Sequence, residues 1–395
     1  MRVVCNELKK IWNWKILGVL VIVCVLFYIM FMSYHVEYYR GNHEQAESIY
    51  YAEELVRLYG TSVTPEEFSD YITKERDRLI SEAETYIQTL PVFAQAGIYS
   101  YADYETFQER EKEPSQADWD AYWTLLDEEY GYLGFFIQTL ASMEEYFDSE
   151  PIFIDDPGSF WATLNEKEQT RYKEIVQNGE IYSIFNFWTY DNTNDYAVRL
   201  AILLMLSTLI LVSPLLASDR HSNVHHLHYS SKLGRKIIHR QLIAMLFSAF
   251  MLATLLISIF GGIYSANGTY LFWNCNINSS LNIGHYSVFN LTYGQWVTAM
   301  VILMYVLALG VSMLAFMLSR FSRNLITMMM KLIPVFAATA FLCIFAFNGL
   351  FQFYNALYKS LRIFGTEAYV CGAVVIIGFT ATLIVMQREK RVDVA

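Results

Sequence analysis

At 395 residues, 54% of them hydrophobic and only 17% charged, with a mean hydropathy of +0.26, the chain is too apolar for a water-soluble domain, which is nearer a quarter charged. Its formal net charge of −11 combines two opposed regions: residues 34–195 carry 10 Lys and Arg against 34 Asp and Glu, a net of −24, and the rest carry 18 against 5, a net of +13. That division excludes a single-phase globular enzyme and a nucleic-acid binder, because the basic residues are few and scattered between apolar runs. It leaves an integral membrane protein with a large acidic, water-facing domain.

In chain order, residues 1–13 come first. Val4, Leu8, Ile11 and Trp12 recur at helical spacing with Lys9 and Lys10 on the other face, which predicts a short helix lying in the cytoplasmic interface of the membrane. The charge-free run 16–34 is long enough to cross a hydrocarbon core of roughly 30 Å. No small-residue cleavage pattern ends it, so residues 14–35 read as a retained first span rather than a cleaved leader.

Residues 36–196 form the acidic domain, long enough to fold by itself. It contains none of the five cysteines, which stand at Cys5, Cys24, Cys275, Cys343 and Cys371, so it must be held by its own core and not by disulfides. Thr64, Pro65 and Glu67 supply an N-cap, a first-turn proline and a capping-box carboxylate. Ser115 with Asp118, and Asn165 with Glu168, mark two further helix starts. The second is expected to run through Trp119, Tyr122, Trp123, Leu125, Leu126, Tyr130 and Leu133, and the third to stop at Gly179. Four to six helices with little sheet follow. Aromatic residues at helical spacing read as core; the alternative is an acidic, ring-rich surface that receives a cationic amphipathic ligand.

Five more charge-free stretches, 200–218, 242–264, 297–319, 332–351 and 368–387, predict spans over 197–218, 241–264, 296–319, 332–351 and 368–387. Basic residues gather before span one (Arg2, Lys9, Lys10, Lys15), in 219–240, in 320–331 (Arg320, Arg323, Lys331) and in 388–395 (Arg388, Lys390, Arg391), whereas the loop 265–295 has no charge. This asymmetry predicts a multi-pass plasma-membrane protein with both termini cytoplasmic and the acidic domain outside. The fold class is therefore an all-α polytopic membrane protein, six transmembrane helices with a mainly helical extracellular domain. Residues 352–367 between the last two spans have Phe351, Tyr354, Leu357, Tyr358 and Leu361 on one face and Gln352, Asn355, Lys359 and Arg362 on the other, which predicts an amphipathic re-entrant element.

No phosphate-loop motif, nucleophile elbow, H-E-x-x-H, C-x-x-C or dinucleotide fingerprint occurs, so no enzymatic activity and no cofactor of its own are expected. The predicted spans hold almost no ionisable residue, which argues against ion-coupled transport; anything moved through them is powered by a partner. The segment 219–240 continues from span two, places Asp219 among Arg220, Val224, Leu227 and Tyr229, and is punctuated by Gly234 before Arg235 and Lys236. Such an element suits the cleft of a cytosolic protein. His221, His225, His226 and His228 raise a metal alternative, beside the plainer reading that they decorate a docking surface.

With these residues the chain resembles the permease subunits of bacterial ABC-2 type transporters. Those proteins share an interfacial N-terminal helix, six spans and, after span two, an acid followed by a Gly, a Leu, a hydroxyl pair and a small residue with a basic pair. Here Asp219 stands for the usual Glu, Ser222 and Asn223 lie near the usual Gly, Leu227 matches the apolar position, Ser230 and Ser231 the hydroxyls, and Gly234, Arg235 and Lys236 the turn. The Asp and the missing Gly are departures. The large insert after span one is similar to that of permeases of Gram-positive peptide, lantibiotic-immunity and multidrug exporters.

What the resemblance implies is an ATP-driven exporter with a peptide or amphipathic cargo. A separate cytosolic ABC ATP-binding subunit would hold the ATP and dock on Asp219, Arg220, Val224, Leu227, Tyr229, Arg235 and Lys236. A second permease chain would complete the path through the membrane lipid. The competing class is a membrane receptor whose acidic domain binds a cationic ligand.

Overall fold

The computed structural model describes residues 2–106, 114–149, 164–221, 234, 237–322 and 324–391. Among them there is no strand, only the isolated bridges Ser62–Ser183, Asn276–Thr292 and Ser287–Gln352. Six helices are long and apolar enough to cross a membrane: Trp14–Met32, Phe187–Ala217, Ile237–Asn267, Tyr293–Arg320, Ile326–Phe347 and Thr366–Glu389. The chain is an all-α polytopic membrane protein, as its periodicity requires, because a helix satisfies its backbone within lipid without a neighbour.

A first helix, α1 (Arg2–Ile11), precedes α2 (Trp14–Phe27), which the chain prolongs through a wider turn, Tyr28–Met32. The acidic domain is built from α3 (His43–Tyr59), α4 (Pro65–Thr89), α5 (Gln116–Thr124), α6 (Leu133–Ser149) and α7 (Glu166–Gln177), with shorter turns between them. Then follow α8 (Phe187–Val212), α9 (Pro214–His221), α10 (Ile237–Tyr264), α11 (Tyr293–Arg320), α12 (Leu325–Phe347), α13 (Ala356–Leu361) and α14 (Thr366–Arg391).

All three helix starts expected in the acidic domain are present as reciprocal capping boxes, Thr64 with Glu67, Ser115 with Asp118 and Asn165 with Glu168. The run expected to extend α5 to Leu133 is broken instead. Gly131 and Tyr132 take φ of +68° and +56°, the Gly134 amide donates to the Leu125 carbonyl at 2.8 Å, and a Cβ on Gly134 would stand 2.6 Å from Leu126 Cδ2. The chain therefore reverses and α6 packs back against α4, where Phe68 stacks on Phe147 with centroids 4.0 Å apart.

Within the bundle α8 is the hub: 78% of its apolar window is buried, against 17% for the first span. It begins at Phe187, ten residues before the expected boundary. Asn186 caps it by accepting from the Trp188 and Thr189 amides, and its polar first turns escape a search for apolar runs. α12 likewise starts at Leu325 and not at 332, capped by Asn324. α11 and α14 approach closely through two glycines; a Cβ on Gly378 would lie 2.7 Å from the Gly310 carbonyl oxygen.

The acidic domain is not a free-standing unit. Tyr172, Ile175 and Ile181 share a core with Tyr286 and Val288 of the loop after α10, with Phe353 of the loop after α12 and with Tyr358 of α13. Around that core, buried Arg171 makes two bonds to Glu180, at 2.9 and 2.7 Å, and Asn278 donates to the same carboxylate at 2.7 Å. Tyr358 and Arg362 each donate to Glu168 at 2.6 Å. Burial alone would raise the Glu168 carboxyl, but these donors and the Asn165 amide outweigh it and hold the group below its ordinary range.

Below this layer the polar turns of α8 are pinned from several sides. Thr193 Oγ1 meets the hydroxyls of Tyr264 and Tyr293 at 2.9 and 3.0 Å, and Asn194 binds Asn348 and the Gly349 amide at 3.1 and 3.0 Å. The expected amphipathic element over 352–367 is corrected here: between α12 and α14 only Ala356–Leu361 is helical. Gln352 and Asn355, placed on its polar face by the sequence pattern, are buried. Asn355 closes the turn by donating to the Phe345 and Asn348 carbonyls at 3.1 and 2.8 Å, while Leu361 is exposed.

Candidate functional site

The site lies at the end of the bundle opposite the acidic domain, the end that carries α1 and the last turns of α14. Pro214 interrupts the helix that began as α8, and carbonyls of the preceding turn lose their partners. Ser319, in the last turn of α11, repairs the break: its hydroxyl donates to the Ser213 carbonyl and accepts from the Ala217 amide at 3.1 Å. The short helix α9 is thereby held in one direction as a continuation of the hub.

Near the end of α9 stands Asp219, which is buried. Lys10 of α1 reaches it at 3.1 Å and reaches Glu7, one turn earlier on α1, at 3.1 Å. Gln241 of α10 donates to Asp219 at 2.8 Å and to Glu7 at 3.2 Å. Burial works against the Lys10 ammonium, but the two carboxylates outweigh it and raise its pKa above the ordinary 10.5, so the lysine stays charged. Two carboxylates, one ammonium and one amide thus tie three helices at a single point.

The face of α1 that carries Val4, Leu8, Ile11 and Trp12 packs along α10. Ile11 is buried there, and the Trp12 indole donates to Ser248 at 3.1 Å. A second clamp closes the same end: Arg320 makes a two-pronged contact with Glu389, at 2.5 and 2.6 Å, joining α11 to α14. Such buried ionic contacts add little net stability because desolvation opposes them, but they are costly to break and so they fix geometry.

Among the residues expected to dock a partner, Asp219 is the one whose side chain the structure places, and it places it inward. The pattern offered this acid to a partner's cleft; instead Lys10 and Gln241 hold it within the chain. Arg220 belongs to α9, with its side chain outside the described residues. Val224, Leu227, Tyr229, Arg235 and Lys236 also fall outside them, as do His225, His226 and His228. Gly234 has φ of +50°, suited to the turn expected there. Among the described residues no group of three or more His, Cys, Asp or Glu is arranged to hold a metal.

Glu7 and Gln241 were not singled out by sequence pattern. The available signal was the i, i+3 pairing of Glu7 with Lys10, ordinarily a solvent-exposed helix pair. No family model matches the chain, and no curated protein or solved structure does either.

Proposed function

We propose that this protein is the permease subunit of an ATP-driven exporter of the ABC-2 type, inserted in the plasma membrane with both termini cytoplasmic. The observation that carries the reading is the braced helix α9, a short rigid extension of the most buried span that ends where the segment 222–236 begins. A cytosolic ATP-binding subunit grips that segment through Leu227, Tyr229, Arg235 and Lys236. Its closure on ATP pushes α9, and the push passes along α8 to the opposite end. In this mechanism Asp219 is a positioning residue: with Lys10 and Gln241 it sets the angle of the lever. A second permease chain completes the path, and the cargo is a peptide or an amphipathic compound.

The test is to purify the tagged chain from membranes in mild detergent and identify what travels with it. A nucleotide-binding subunit is expected, and Leu227→Asp with Tyr229→Asp is expected to release it while the permease stays folded. Recovery of a partner without ATPase activity, unaffected by those substitutions, would replace this reading with the receptor.

A further inference from the structure

A cleft of about 510 Å³ lies at the foot of the acidic domain, between the chain that follows span one and the loop that follows span three. Its floor is an ionic cluster. Glu53 is buried and is shared by two arginines, Arg40 at 2.6 Å and Arg57 at 3.1 Å. Each guanidinium has five N–H donors in a fixed plane, and the side chains of Arg40 and Arg57 are 48% and 60% exposed, so donors remain that face the cleft. A buried carboxylate that anchors two guanidiniums side by side leaves a fork suited to a phosphate ester.

Two further observations choose the kind of phosphate. The first is level. Span one ends at Met32 and span three at Asn267, and the cleft is lined by Val36, Glu37, Tyr39 and Arg40 and by 266–268, Tyr270 and Leu271, at and just beyond those ends. Exposed Tyr270 lines it, and Tyr34, Tyr38 and Trp273, close to these span ends in the chain, are exposed as well, the kind of rings that marks the headgroup layer.

The second is charge. Arg40 and Arg57 are balanced by Glu53 and by Glu37, an exposed carboxylate that also lines the cleft. The domain above carries a net of −24 over residues 34–195, which repels an anionic lipid. We propose that this cleft seats the headgroup of a zwitterionic phospholipid, its phosphate on Arg40 and Arg57 and its ammonium on Glu37. The site would tether the acidic domain to the bilayer surface.

The full chain, purified in detergent and exposed to an equimolar mixture of phosphatidylethanolamine and phosphatidylglycerol, is read by native mass spectrometry. Phosphatidylethanolamine is expected to be retained at least about fivefold over phosphatidylglycerol, the advantage of an added charge-assisted contact. Glu37→Gln, on an exposed side chain that leaves the Arg–Glu–Arg cluster intact, is expected to abolish that preference. Arg57→Gln is expected to reduce retention of both lipids; its thermal unfolding, checked alongside, must match the parent's for the comparison to count, and Glu37→Gln carries the test if it does not. Equal retention of the two lipids by the parent, or an unchanged preference in Glu37→Gln, would overturn the proposal. So would inorganic phosphate or phosphoethanolamine displacing the lipid at low millimolar concentration, since a soluble phosphate would then be the occupant.

Discussion

The two ends of the bundle are held together by different means. At the end that carries the acidic domain, α7, the loop 265–292 and the segment 348–365 interlock through a shared aromatic core and through buried carboxylates whose donors lie up to 194 residues away, as for Glu168 and Arg362. At the other end the helices meet through two ionic clamps, Lys10 with Asp219 and Arg320 with Glu389, supplemented by the single bridging side chains Gln241 and Ser319. Dense interlocking makes one end move as a block, because separating it would strand many buried polar groups at once. Discrete clamps allow the other end to rearrange as rigid pieces. The lever proposed above would need that asymmetry.

The largest expected effect tests the interlocked end. Replacing Arg171 with Met leaves the Glu180 carboxylate buried without its two guanidinium bonds. It should cost about 3–5 kcal/mol, read as a lowered unfolding temperature in detergent. A loss below about 1 kcal/mol would mean that this end is not held by its buried ions.

Inside the acidic domain, Glu47 of α3 is buried, accepts from Thr139 at 3.2 Å and lies 3.6 Å from His43. Burial raises its carboxyl from 4.5 to about 7 against the opposing Thr139 bond, with Glu44 adding to the rise. Between those values the folded chain keeps a proton that the unfolded chain has lost, so the contribution is fully present below pH 4.5 and disappears as pH rises through about 7. Glu47→Gln should flatten that fall and raise stability at pH 8 by on the order of 1–3 kcal/mol. An unchanged pH profile of unfolding would place the titration elsewhere.

The smallest effect is expected at the clamp. Lys10→Gln leaves Glu7 and Asp219 facing each other across Gln241 and should cost about 1–2 kcal/mol, because the lysine is partly solvated. Adding Asp219→Asn should recover at least about half of that loss, the signature of coupled residues in a double-mutant cycle. Additive losses would show that the two groups act independently. Charge reversal at Asp219 is a poor probe of docking, since it would set two ammonium groups together inside the chain.

Much of the architecture was legible in residue order because its causes are local. A run of apolar residues long enough for the hydrocarbon core announces a span, and Thr64–Glu67, Ser115–Asp118 and Asn165–Glu168 announce helix starts by reciprocal bonds three residues apart. Boundaries failed where polarity and helicity part company. The first turns of α8 carry Asn192, Thr193 and Asn194, which read as loop yet are helical because Tyr264, Tyr293 and Asn348 come to meet them. The joint was harder still. Asp219 reads as an offered charge, and only the packing of α1 against α10 brings Lys10 and Gln241 to within bonding distance of it.

By itself, then, the sequence determined that the chain is helical, that it crosses a membrane six times and that its large acidic domain is punctuated by capped helices, since each follows from hydropathy or hydrogen bonds spanning a few residues. Tertiary structure alone decided that the acidic domain is welded to two distant loops and that Asp219 turns inward, because the partners concerned are separated by tens to hundreds of residues and only the folded bundle sets the distance between them.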